Sequence, residues 1–101
     1  MLDVGLIVDN NDLGTATWSS AIQMCEQLTK ADYTDWYLPS LAELSVIAQY
    51  ENQIGGFETA RYWSNTEYSN SEAWCQQINI APNQQHWPKD YYSRVRCVRK
   101  R

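Results

Sequence analysis

The chain has 101 residues, 44% of them hydrophobic and 20% charged, with a formal net charge of −4. That is enough for one modest core and too little for two, so a single domain over 1–101 is expected. The longest apolar run, Gly5-Leu6-Ile7-Val8, is too short to cross a bilayer, and Met1-Leu2-Asp3-Val4 lacks the basic-then-apolar order of a secretory signal; a membrane-spanning protein, a coiled coil and a disordered tail are excluded. In chain order, Gly5 to Val8 predicts a short strand and Asp9 to Gly14 a polar turn. The turn is no calcium loop, because Leu13 falls where an oxygen ligand is needed. Thr17 offers an N-cap to a first helix running to about Thr29-Lys30, with Trp18, Ala21, Ile22, Cys25 and Leu28 as its apolar stripe. Pro39 keeps Leu38 extended, and Ser40 with Glu43 forms a capping box for a second helix faced by Leu41, Leu44, Ile47 and Ala48. Gly55-Gly56 ends that helix in a loop.

From Tyr62 the pattern turns to short strands. Tyr62-Trp63-Ser64 is one. Ala73 to Ile80 is the clearest, with Trp74, Gln76, Ile78 and Ile80 on one face and Ala73, Cys75, Gln77 and Asn79 on the other. Pro82-Asn83 is a turn, and the last strand runs from about Ser93 to Val98, with Val95 and Cys97 inward and Arg94 and Arg96 outward. Two helices followed by an antiparallel meander make an α+β domain.

Charge is segregated. Residues 1–88 carry eleven acids and two bases, whereas residues 89–101 carry six bases and one acid. Such a basic end could attract sulfated sugar or phosphate. Alternatively, the last strand lies against the acidic body and its arginines pair there. Arg99, Lys100 and Arg101 are expected to be solvated. The acidic remainder argues against nucleic acid. The three cysteines, Cys25, Cys75 and Cys97, have no metal-ligand spacing. Their odd count means one pair and a free thiol, or three reduced thiols.

Catalytic machinery is not visible. No phosphate loop or Gly-x-Ser-x-Gly elbow occurs, and His86 is the only imidazole. Asp32/Asp35 and Glu67/Glu72 carry no mark of a hydrolytic dyad. No enzyme, cofactor or metal is expected. The aromatics point elsewhere: seven Tyr and five Trp stand against one Phe, and Tyr and Trp each join a large contact area to a polar handle. Trp18, Trp36, Trp63 and Trp74 are read as core. Asn65, Tyr68, Asn70, Asn83, His86, Trp87, Tyr91 and Tyr92, with Asp90 and Arg94 beside them, fall in the connections of the C-terminal half and are the candidate ligand-binding residues. Ring faces that stack on sugars and amides that bind hydroxyls suit a glycan or a cell-surface protein.

Trp18-x-x-Ala21 with Cys25, Asp35-Trp36-Tyr37-Leu38-Pro39-Ser40, Tyr62-Trp63-Ser64-Asn65-Thr66-Glu67, Ala73-Trp74 and Val95-Arg96-Cys97-Val98-Arg99 occur in this order. Together they resemble the DUF1566 domain of bacteria and phages, the C-terminal domain type of the Legionella collagen-like adhesin, from about Gly5 to Arg99. The resemblance implies a C-type lectin-like fold in the wider sense, with two helices packed on a twisted antiparallel sheet. It implies a Cys25–Cys97 bridge, which leaves Cys75 without a partner, and ligand binding through the C-terminal half, the region diversified in retroelement-varied phage receptor-binding proteins. It also implies an extracellular, cell-surface or virion setting, as the end of a longer adhesin or fibre, where a homotrimeric cap is the competing role. The calcium-dependent sugar motifs Glu-Pro-Asn and Trp-Asn-Asp are missing, so binding is expected to be calcium-independent. The catalytic cysteines of the related formylglycine-generating enzymes are not matched, which makes a catalyst of that type the weakest alternative.

Overall fold

A computed structural model describes residues 5–9, 11–30, 32–79 and 82–100. Strands β1 (Leu6–Val8) and β2 (Thr15–Ala16) precede helices α1 (Trp18–Glu26), α2 (Leu41–Gln49) and α3 (Glu51–Ile54). Strands β3 (Arg61–Glu67), β4 (Glu72–Gln77), β5 (Gln84–Pro88), β6 (Ser93–Arg94) and β7 (Val98–Lys100) follow. The architecture is α+β: three helices lie against a five-stranded sheet of order β2-β6-β3-β4-β5 and a small β1-β7 sheet.

The second helix begins where its capping box places it. Ser40 Oγ accepts from the Glu43 amide at 3.1 Å, and Glu43 Oε1 accepts from the Ser40 amide at 2.9 Å, which satisfies two otherwise orphaned donors and is worth about 1 kcal/mol. The first helix is shorter than its apolar stripe predicts and ends at Glu26. There the Leu28 amide turns back to the Cys25 carbonyl at 3.2 Å, a tightened last turn that leaves the helical path. Thr17 holds the N-cap position without a side-chain cap bond. After α2 the chain breaks at Tyr50 and adds the single turn α3.

Two clusters make the core. Ala21 and Cys25 of α1 pack with Trp36, Leu38, Trp63, Ala73, Cys75, Val95 and Cys97. Leu44 and Ile47 of α2 pack with Leu6 and Val98. Trp63 is fully buried, and its indole N–H donates to the Ala16 carbonyl at 2.8 Å, so the largest core side chain also answers its one polar atom. Trp36 is buried as read, but Trp18 and Trp74 are only half-buried. A disulfide joins Cys25 to Cys97 across 72 positions, as the resemblance implies, and Cys75 is a buried free thiol.

The C-terminal half departs from the expected meander in three ways. First, Gln84–Pro88, expected as a loop, is a strand paired with β4 from Glu72↔Pro88 to Gln76↔Gln84; backbone pairing and the packing of Trp87 compensate for its lack of β-branched residues. Second, β4 stops at Gln77. The Ile78 amide bonds instead to the Ala60 carbonyl, and Asn79 takes a left-handed φ of 61° that turns the chain out of the sheet; Ile80 lies outside the described residues. Third, the last strand is split into β6 and β7. The 89–92 connection carries the chain across to the far side of β3, so β6 enters parallel to β3 at Tyr62↔Arg94 and the sheet is mixed. Val95 and Cys97 are buried as read, but Arg96 is buried too, because residues 95–97 lie outside both strands and their side chains do not alternate.

Candidate ligand-binding surface

The acidic body and the basic end meet at Asp12. Its Oδ2 accepts from Arg94 Nε at 2.8 Å and from the Tyr62 hydroxyl at 2.6 Å, while Oδ1 accepts from Arg96 Nε at 2.7 Å. Arg96 Nη2 also donates to Asp12 Oδ1 at 2.5 Å, the other Arg96 donors reach the carbonyls of Asp9, Gly55 and Gly56, and its guanidinium lies 4.0 Å from the Phe57 ring centroid. Gly55 and Gly56 present those carbonyls from φ values of 80° and 78°, which side-chain-bearing residues rarely adopt. Burial, then donation to Asp12, pushes the Tyr62 phenol up to about 12. Arg99 was expected in solvent; instead it holds Asp35 through Nε at 2.7 Å and lies over the Tyr33 ring. Hydrogen bonding to Arg99 holds the Asp35 carboxyl below its ordinary range. Lys30 pairs with Asp9. Pairing within the chain is therefore the outcome for these arginines; Arg101 lies outside the described residues.

The aromatics are arranged by the β4–β5 hairpin. Neighbouring strand residues point to opposite faces, and the register places Ala73 opposite Trp87 and Trp74 opposite His86. The inner face carries Ala73, Cys75 and Trp87 against the core. Burial pushes the Cys75 thiol up to about 12, against the pull of a hydrogen-bonding contact with Ser93, so it stays protonated and unreactive at neutral pH. On the outer face Tyr68 stacks on His86 with centroids 3.7 Å apart, and the edge of Trp74 meets both rings at 5.6 and 5.1 Å. His86 Nδ1 lies 2.7 Å from Glu72 Oε1, which orients the imidazole.

The candidate residues thus form two patches and some outliers. Tyr68 and His86 belong to the outer face. Trp87 and Tyr91 meet at 5.7 Å on the other side, with Arg61 4.2 Å over the Trp87 ring and bonded to the Tyr92 carbonyl at 2.9 Å. Tyr92 is 65% exposed, and Asp90 is exposed in the turn before it. Arg94 is engaged by Asp12. Asn65 donates to the Leu38 carbonyl at 2.9 Å, and the Asn70 carbonyl accepts from Lys89 at 3.0 Å. Asn83 lines a groove of about 540 Å³ between α2, α3 and β4–β5, with Ser45, Gln49, Glu51, Gln76, Asn79 and Gln84. The helix residues Ser45, Gln49 and Glu51 were missed, because a polar helix flank beside a groove reads the same as one facing open solvent. Among the described residues no cluster of His, Cys, Asp or Glu could hold a metal ion, and no helix is long and apolar enough to cross a membrane.

A disulfide-bridged α+β module with a polar, ring-bearing sheet edge is the class of protein these features define. The family model of the Lcl C-terminal domain matches residues 6–99, almost the whole chain, and the chain belongs to that family. A collagen-like adhesin family fits a non-catalytic, adhesin-associated domain, and the disulfide is compatible with an extracellular or surface location. No curated protein matches the chain.

Proposed function

We propose that the domain is a non-catalytic recognition module that binds a glycan or a cell-surface protein, without calcium, through the β4–β5 hairpin and the adjoining C-terminal loops, at a cell or virion surface. The observation that carries this reading is the Tyr68–His86–Trp74 ring cluster. Three rings packed together outside the core offer a large contact area with little conformational freedom left to lose. Kinship with the C-type lectin fold in the wider sense belongs to the same proposal, supported by the bridged α+β plan of helices packed on a twisted sheet. The test is binding to glycan arrays and intact cells, with Tyr68→Ala and His86→Ala on the outer face and Trp87→Ala, Tyr91→Ala and Tyr92→Ala on the other. Loss of binding in either set supports the reading; absence of binding to every array and cell type sinks it.

The edge position of β5 favours a second reading, a homotrimeric cap of a fibre, since an unpaired strand edge can pair with another copy. Light scattering separates the two: a stable trimer that buries this edge favours the cap, and a monomer favours recognition.

A further inference from the structure

The floor of the groove is built from amides. Gln76, only 3% exposed, accepts at Oε1 from Gln84 Nε2 at 3.1 Å and donates to the Gln77 carbonyl at 3.4 Å. Gln77 donates to the Pro82 carbonyl at 2.6 Å. These contacts fix the rotation of all three amides. A fixed amide offers a donor and an acceptor at set positions, and little side-chain freedom remains to be lost on binding. At one end Asn79, held in its left-handed conformation, donates to Glu51 at 3.1 Å beside Asn83. At the other end Gln84 also borders an open depression of about 530 Å³ lined by Trp74, His86 and Trp87. Amide groove and ring cluster therefore adjoin at Gln84.

Charge sorts the ligands this surface can take. Glu51 lines the groove and Glu72 stands against His86. The guanidinium groups of the sheet are turned to their own chain: Arg94 and Arg96 to Asp12, Arg61 to Ser93 and Tyr92. Lys89 reaches Glu67 at 2.6 Å and lies over the Trp18 ring. A sulfate or carboxylate brought to the groove would meet carboxylates and lose hydration, and among the described residues that line the groove and the depression there is no Lys or Arg to replace it. Hydroxyl groups, each a donor and an acceptor, match the amides, and the apolar face of a sugar ring matches the exposed area of Tyr68 and Trp74.

Building on the recognition reading above, we propose that this joint surface is a subsite for an uncharged oligosaccharide, with sugar faces on the Tyr68–Trp74–His86 end and hydroxyls on the exposed Gln84 amide that buried Gln76 holds in place, and that it discriminates against sulfated and acidic chains. The experiment titrates the whole chain with neutral, sulfated and uronic-acid-containing oligosaccharides at low and high salt. Neutral chains bind, with an affinity nearly independent of salt. Gln84→Ala and His86→Ala each weaken that binding about tenfold, the equivalent of one lost hydrogen bond or ring contact. Glu51→Lys, which reverses a charge in the groove lining, raises binding of sulfated chains relative to neutral ones. Both alanine positions are exposed on the edge strand, and unchanged thermal unfolding confirms that the variants fold.

Preference of the unsubstituted protein for sulfated chains, with a steep fall in salt, overturns the inference and leaves the recognition reading standing. So does cell binding that survives enzymatic deglycosylation. Neutral binding indifferent to both alanine variants overturns the location. Absence of binding to every glycan and cell surface overturns the recognition reading itself.

Discussion

The 93–100 segment, with the bases Arg94, Arg96, Arg99 and Lys100, and the 68–88 hairpin, with the rings of Tyr68, Trp74, His86 and Trp87, direct their side chains in opposite senses. Bases, which ordinarily seek solvent, are drawn in: Arg96 is fully buried and Arg94 and Arg99 sit on carboxylates. Aromatics, which ordinarily fill cores, are partly turned out: Tyr68 is 52% exposed and stacked on His86. The difference lies in partners rather than hydrophobicity. A guanidinium can be buried where a carboxylate and carbonyls answer its five donors, as Asp12, Asp9, Gly55 and Gly56 do. A ring can stay at the surface where other rings cover part of it. The 93–100 segment is therefore structural, and the hairpin is left as the surface proposed for recognition.

That division is tested first where most stability is at stake. Replacing Cys25 and Cys97 by Ala removes a 72-residue cross-link, and the loop-entropy model gives a loss of about 4 kcal/mol; chemical denaturation of the oxidised protein and the double variant measures it. Arg96→Met comes next. It leaves the Asp12 carboxylate with a partner removed in a mostly dry site, a change that costs about 3 kcal/mol or more. A loss below about 1 kcal/mol would mean that Arg96 is dispensable to the fold and would erase the contrast.

The same hub predicts an alkaline limb. Tyr62 keeps its proton to about pH 12 in the folded chain against an ordinary value of 10, so between these values the folded state holds more protons than the unfolded one. Stability present below pH 10 is lost as pH rises towards 12, by about 1 kcal/mol per pH unit. Tyr37, raised by burial and its hydrogen bond to Glu43, contributes in the same sense. Tyr62→Phe should flatten the limb in denaturation midpoints measured from pH 9 to 11, but not abolish it.

Features that depend on neighbours in sequence were legible, and those that depend on partners far along the chain were not. The Ser40/Glu43 box and the Ala21/Cys25 stripe are encoded within a turn or two. Val95 and Cys97 were placed inward correctly, whereas Arg96 was placed outward, because strand alternation was extended through a stretch that is not a strand. Asp12 read as part of a turn; its role as a hub requires partners 50 to 84 positions away. The candidate surface suffered in the same way. Without β5 as a strand, His86 and Trp87 look like adjacent loop residues on one surface, whereas the pleat sends them to opposite sides of the sheet. The rings were legible as a stock, but their division between two faces was not.

The smallest expected change is the most discriminating. His86→Ala removes one stacked ring and a partly exposed contact with Glu72. Exposed pairs of this kind contribute about 0.5 kcal/mol or less, and the backbone pairing of β4 with β5 does not use the imidazole. Denaturation midpoints should therefore barely move, even though the same substitution is expected to weaken ligand binding. If His86→Ala instead destabilised the domain as Arg96→Met does, the outer rings would be a second core, and the contrast between the two regions would collapse. A stable variant with impaired binding separates the ring cluster's role in recognition from any role in folding, which no substitution in the Asp12 network can do.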